Sequence, residues 1–286
     1  MMKTFSLHMM ALAAAMLPAA AQAVSIPQSP VITYGHIRDE YGSPLTSFSA
    51  AEILLVADGK PDGRIYARTV AGETPYPGMN YRLSLEIDSA GPVREYAVTT
   101  GTRMRIKCMM DGADQFASGT SRCVFATPAQ GTAQRLDLSL GVDADDDGMP
   151  DDWERWYLSC HGRPSDEAAL LAFAADGDAD GDGMTNIREF LAGTDPFLST
   201  DLMKITSFSH GDGTGRAEIK FTTTVDRTYR LVAADSLEDP VWAPVAATRS
   251  RTDTPEYAAY AGTGRTMTLY FDLPEGSQAF FRIAVQ

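Results

Sequence analysis

Hydrophobic positions recur at every second residue across much of residues 31–142. Tyr81, Leu83, Leu85 and Ile87 fall on one side of an extended chain, while Arg82, Ser84 and Glu86 fall on the other. Leu136, Leu138 and Leu140 repeat the rhythm. Successive side chains of a strand point to opposite faces, so these runs predict half-buried strands. Turn-rich stretches such as Asp39-Glu40-Tyr41-Gly42-Ser43-Pro44 separate them, as in an antiparallel sandwich. The period changes after Asp143. Trp153, Trp156 and Tyr157 stand at i, i+3, i+4, as do Ile187, Phe190 and Leu191, and a run opened by Ser165 carries Leu170, Leu171 and Phe173. Three short helices are predicted there, with Trp153, Trp156, Tyr157, Phe173, Ile187, Phe190 and Leu191 packing into one small core. Alternation returns in 217–221, 229–232, 267–271 and 280–285. The expected fold is mainly β: antiparallel β-sandwich domains at 24–142 and 201–286, joined by a short helical module at 143–200.

The first residues set the expected compartment. Lys3 precedes a small and apolar run at 9–21, and Ala21-Gln22-Ala23 offers the small side chains a signal peptidase accepts. A cleaved signal peptide at 1–23 is expected, with export to the cell surface or medium. The run is shorter than the roughly 20 residues that cross a bilayer, and no later segment supplies a span. In an oxidising compartment Cys108 and Cys123 can close a short loop as a disulfide, leaving Cys160 as a small buried hydrophobe or a free thiol, the former favoured. No CxxC occurs and His36, His161 and His210 are scattered, which disfavours zinc or redox chemistry.

The formal net charge is −14 and becomes −15 once Lys3 is lost with residues 1–23. Residues 143–195 hold 15 Asp and Glu against Arg155, Arg163 and Arg188, so most of the acidity sits in one short stretch. Acidity repels nucleic acid, and carboxylates at this density call for a counter-cation. An EF-hand loop takes ligands from positions 1, 3, 5, 7 through a carbonyl, 9 and a bidentate Glu at 12, with Gly at 6 for the turn. Residues 143–154 supply Asp143, Asp145, Asp147, the Met149 carbonyl, Asp151 and Glu154 at those places, with Gly148 at the turn. Residues 178–189 supply Asp178, Asp180, Asp182, the Met184 carbonyl, Asn186 and Glu189, with Gly183 at the turn. Shifting either loop by two residues destroys the set: a start at Asp176 places Ile187 at 12, and a start at Asp145 places Met149 at 5. Oxygen ligands of this number select calcium over magnesium, which demands a stricter octahedron. A saturated shell leaves no open position for a substrate, which argues against a metallohydrolase.

The run Asp-x-Asp-x-Asp-Gly-Met-Pro-Asp-x-Trp-Glu at 143–154, followed by Asp-x-Asp-Gly-Asp-Gly-Met-Thr-Asn-x-x-Glu-Phe-Leu-Ala-Gly-Thr-Asp-Pro at 178–196, resembles the bacterial thrombospondin type 3 repeats. That resemblance implies calcium binding in an exported or surface protein. Residues 34–87 resemble a carboxypeptidase-regulatory or transthyretin-like β domain, and 229–242 with the terminal Phe-Phe-Arg-Ile resemble a β module that often follows such repeats. Neither brings a catalytic residue. Pro150 at position 8 cannot donate to the strand bridge that joins paired EF-hands, and the first loop follows a strand rather than a helix. A structural brace is therefore expected rather than a sensor. The expected function is that of a non-enzymatic protein in which two calcium ions rigidify the joint between two β domains. The alternative is an adhesin binding a cell-surface glycan or protein partner on a sandwich face, with Trp242 and Tyr229 as its aromatic candidates.

Overall fold

The computed structural model describes residues 29–59, 64–72, 79–88, 97–115, 123–210, 215–273 and 279–285. The expected signal peptide lies outside them. The described chain is mainly β, with three short helices.

The first part contains β1 (Val31–Gly35), β2 (Ile37–Arg38), β3 (Glu52–Ala57), β4 (Ile65–Val70), β5 (Tyr81–Leu85), β6 (Arg103–Met110), β7 (Ala113–Gln115), β8 (Val124–Ala126), β9 (Ala133–Arg135) and β10 (Leu138–Ser139). One sheet runs β5-β1-β9; a second runs β4-β3-β6-β7 with β8 on β6; β10 pairs β2. The pairing is antiparallel except for β1–β9 and β2–β10, which are parallel. Alternation places Val31 and Thr33 inward on β1 opposite Leu85 and Leu83 of β5, and one core gathers Val31, Leu83 and Leu85 with Ile53, Leu55, Met104 and Ile106. The Asn80 amide closes the edge at β2, accepting from Ile37 N–H at 2.7 Å and donating to the Ile37 and Leu45 carbonyls.

The expected Cys108–Cys123 disulfide is not formed among the described residues. The β6–β8 register pairs Arg105 with Val124, and Ile106 N–H donates to the Cys123 carbonyl at 2.9 Å. Cys123 therefore sits across from Ile106, two residues along β6 from Cys108. Diagonal neighbours lie about 7–8 Å apart, beyond the reach of an unstrained bridge. Both thiols are buried, Cys123 Sγ accepting from Arg105 Nη1 at 3.6 Å, whereas Cys160 is exposed, against the expectation of a buried hydrophobe.

The middle part holds α1 (Asp151–Cys160), α2 (Glu167–Ala172) and α3 (Asn186–Ala192). Trp153 is its centre: ring centroids lie 4.9 Å from Tyr157, 5.2 Å from Phe190 and 6.1 Å from Phe173. Met149, Leu158, Leu170, Phe173 and Phe190 complete this core, and Ile187 packs on it. Trp156 and Leu191 do not join it. Trp156 is 58% exposed and meets Tyr41 edge-on at 6.4 Å. An α-helix advances about 100° per residue, so Trp153 and Tyr157 share a face that Trp156 only borders.

The last part contains β11 (Ile205–His210), β12 (Arg216–Phe221), β13 (Thr228–Ala234), β14 (Ala243–Pro244), β15 (Tyr260–Ala261), β16 (Met267–Asp272) and β17 (Phe280–Val285). They form β11-β12-β16 and a sheet in which β13 pairs β14, β15 and β17, around a core of Ile219, Phe221, Tyr229, Leu231, Leu269 and Phe271. Arg227 ties this part to the middle: Nε donates to the Leu191 carbonyl at 2.8 Å and Nη2 to that of Phe190 at 3.1 Å. Those are carbonyls of the last turn of α3, which a cation satisfies both as donor and against the helix dipole.

Candidate metal centre

Each acidic loop winds on itself through its own carboxylates. In the first, Asp147 and Gly148 N–H donate to Asp143 at 3.1 and 3.0 Å, and Met149 N–H donates to Asp147 Oδ1 at 2.8 Å. In the second, Gly183 N–H donates to Asp178 at 2.9 Å and Met184 N–H to Asp182 Oδ1 at 2.7 Å. Positions 4 and 6 are left-handed in both: Asp146 (φ 58°) and Gly148 (102°), Gly181 (79°) and Gly183 (98°). Gly adopts this region freely and Asp tolerates it better than most residues. Two stretches of different sequence thus share one loop geometry.

That geometry draws together the oxygens of Asp143, Asp145 and Asp147, all within 4.8 Å of one another, and likewise those of Asp178, Asp180 and Asp182. The twelfth residue of each loop stands on the first turn of the outgoing helix and is not one of the three residues so gathered. Glu154 is 1% exposed and Glu189 0%. Oε1 of Glu154 and Oε2 of Glu189 have no hydrogen-bond partner among the described residues, and neither do Oδ2 of Asp180 and Asp182. Glu189 Oε1 accepts from Thr194 Oγ1 at 3.3 Å. Burial, then the charges of Asp147, Asp145, Asp151 and Asp143, push Glu154 up to about 9. Burial, then Asp180 and Asp182, push Glu189 up to about 8.

The ninth positions behave differently from the others. Asp151 Oδ1 accepts from Ala144 N–H at 2.9 Å and its Oδ2 from Arg155 at 3.0 Å. Asn186 Oδ1 accepts from Ala179 N–H at 3.3 Å, and its amide donates to the Ala174 carbonyl at 2.9 Å. Both staple the second residue of the loop to the start of the helix, so they act as loop closures, the role compatible with reaching an ion through water. Met149 is fully buried in the Trp153 core and anchors the first loop there. No strand ladder joins the two loops among the described residues.

Three aspartates around a point, all oxygen and without a basic side chain in the triad, suit a hard divalent cation. No protein-family model and no curated protein matches the chain. The aromatic pair considered for a glycan surface does not form one: Tyr229 is fully buried with its hydroxyl accepting from Thr224 N–H at 2.7 Å, and Arg282 lies 4.3 Å over the Trp242 ring. No helix among the described residues is long and apolar enough to cross a membrane.

Proposed function

We propose that residues 143–154 and 178–189 are two calcium sites, similar to thrombospondin type 3 repeats, that brace the joint between the two β parts of an exported, non-enzymatic protein. The observation that carries the reading is the pair of buried glutamates, Glu154 and Glu189, each with an oxygen lacking a hydrogen-bond partner among the described residues and each raised by the charges of its loop's aspartates. A buried uncompensated carboxylate costs several kcal/mol unless a cation pairs with it. Asp143, Asp145, Asp147 and Glu154 would hold one ion, with the Met149 carbonyl and Asp151 completing the shell. Asp178, Asp180, Asp182 and Glu189 would hold the other, with the Met184 carbonyl and Asn186.

Titration calorimetry tests this. Two calcium ions per chain are expected, at the extracellular affinity of roughly 10⁻⁴–10⁻³ M. One ion or none, or an equal affinity for magnesium, refutes the assignment. Glu154→Gln and Glu189→Gln should each remove one site, because each deletes the bidentate ligand.

A further inference from the structure

A second unbalanced charge lies away from the acidic loops, where the chain passes from β1 to β2. Ile37 points into the first core, so its neighbours His36 and Arg38 share the opposite face. That face should be wet, yet His36 is 5% exposed and Arg38 only 2%. Arg227 comes close from the last part of the chain: its guanidinium lies beside Gly42, in the turn that directly follows Arg38. The Arg38 Nε and both ring nitrogens of His36 have no hydrogen-bond partner among the described residues.

The nearby carboxylate does not answer this demand. Asp137 Oδ1 accepts from His36 N–H at 2.8 Å, and both its oxygens accept from Arg135 Nε, at 3.1 and 3.0 Å. Arg227 spends three N–H groups on the carbonyls of Leu191, Phe190 and Asp226, leaving two of the five that a guanidinium carries. Among the described residues neither Arg38 nor Arg227 makes an ion pair, so two guanidiniums near the same turn are left with donors to spare. Burial and the Arg227 charge, in that order, lower Arg38 to about 10, consistent with such crowding.

We propose that Arg38, with His36 and Arg227, forms a binding site for a small inorganic anion between the first and last parts of the chain. The two guanidiniums supply charge and N–H donors, and neutral His36 supplies one further donor. Such a pair buried without a counter-charge is costly, whereas an anion between them turns repulsion into attraction. The site is independent of the calcium reading.

The test uses the full exported chain with calcium in excess, supplied as the isethionate salt. Thermal unfolding is followed while chloride replaces the bulkier isethionate at constant ionic strength. A ligand that binds only the folded state raises the midpoint with concentration, here by ~2 °C or more across a hundredfold range of chloride. The rise should vanish in Arg38→Gln. Crystals grown in bromide should show an anomalous peak beside the Arg38 guanidinium, a measurement on the unmodified chain that decides the matter if Arg38→Gln fails to fold. Equal midpoints in chloride and isethionate, an undiminished rise in Arg38→Gln, or no bromide peak there overturns the proposal.

Discussion

At the scale of single residues, the chemistry is set by groups that are buried without a partner, and their effects have definite signs. Glu154→Gln and Glu189→Gln should stabilise the chelated protein by about 1–3 kcal/mol each, because each removes an ionisable group whose charge the fold disfavours. The same substitutions should reduce the extra stability gained on adding calcium. Thermal unfolding with and without a chelator checks this, and destabilisation in both states would show that the glutamates serve the apo fold instead. His36 gives the pH dependence. Burial, then the Arg38 charge, hold it down to about 4. A base whose folded pKa is depressed contributes stability that is present above its unfolded value of about 6.5 and is lost as pH falls through 4. In isethionate buffer the wild type should therefore lose about 3 kcal/mol more than His36→Gln between pH 7 and 4. Parallel pH curves would refute it. Of these residues, Glu154 and Glu189 were legible from spacing alone. The loop-closing duty of Asp151 and Asn186 was not, since a ligand list says nothing about which carboxylate the backbone will claim first. Asp146 was equally hidden, because its left-handed conformation follows from the symmetry of the two loops rather than from its own chemistry.

Elements follow hydrophobic period where one face is buried and fail to follow it where a second surface intervenes. Tyr81, Leu83 and Leu85 are buried with Arg82 and Ser84 exposed between them, as alternation requires. Strand direction was not encoded there: β9 joins β1 in parallel after a long excursion, and the same inward pattern suits either direction. The helix period placed Trp153 correctly and Trp156 wrongly, since i+3 and i+4 neighbours flank a face whose width the sequence does not give. The cysteines show the limit most sharply, because proximity in sequence fixed neither their register nor their burial. The register makes a testable statement. Under native conditions a thiol reagent should label Cys160 rapidly, with Cys108 and Cys123 reacting only after unfolding, since burial also raises both of those thiols. Mass spectrometry after pulse labelling reads the three sites separately. A Cys108–Cys123 disulfide in non-reduced peptide maps would mean that the β6–β8 pairing shifts by two residues.

For the whole molecule, three separate hydrophobic cores are linked by contacts of the acidic module, while Arg227 also reaches Gly42 of the first part directly. Val142 accepts from Asp151 N–H at 2.8 Å at one end, Tyr41 meets Trp156 above it, and Arg227 holds the last turn of α3 at the other. Both ends of the joint thus hang on helices whose first turns carry Glu154 and Glu189. In the proposed function, two ions add four positive charges to loops whose carboxylates otherwise repel, and so fix α1 and α3 relative to each other. Removing calcium should loosen the joint while the two β cores, which share no residue with the module, stay folded. Small-angle scattering is expected to give a larger and more variable dimension on chelation, and circular dichroism some loss of helical signal with the β signal retained. Arg227→Met should reproduce part of the scattering change with calcium bound, because it cuts α3 from the last β part without touching a ligand. An unchanged profile on chelation would sink the brace. Complete unfolding would place the stability of the β parts in the module itself, and an Arg227→Met profile identical to wild type would move the mechanical link elsewhere.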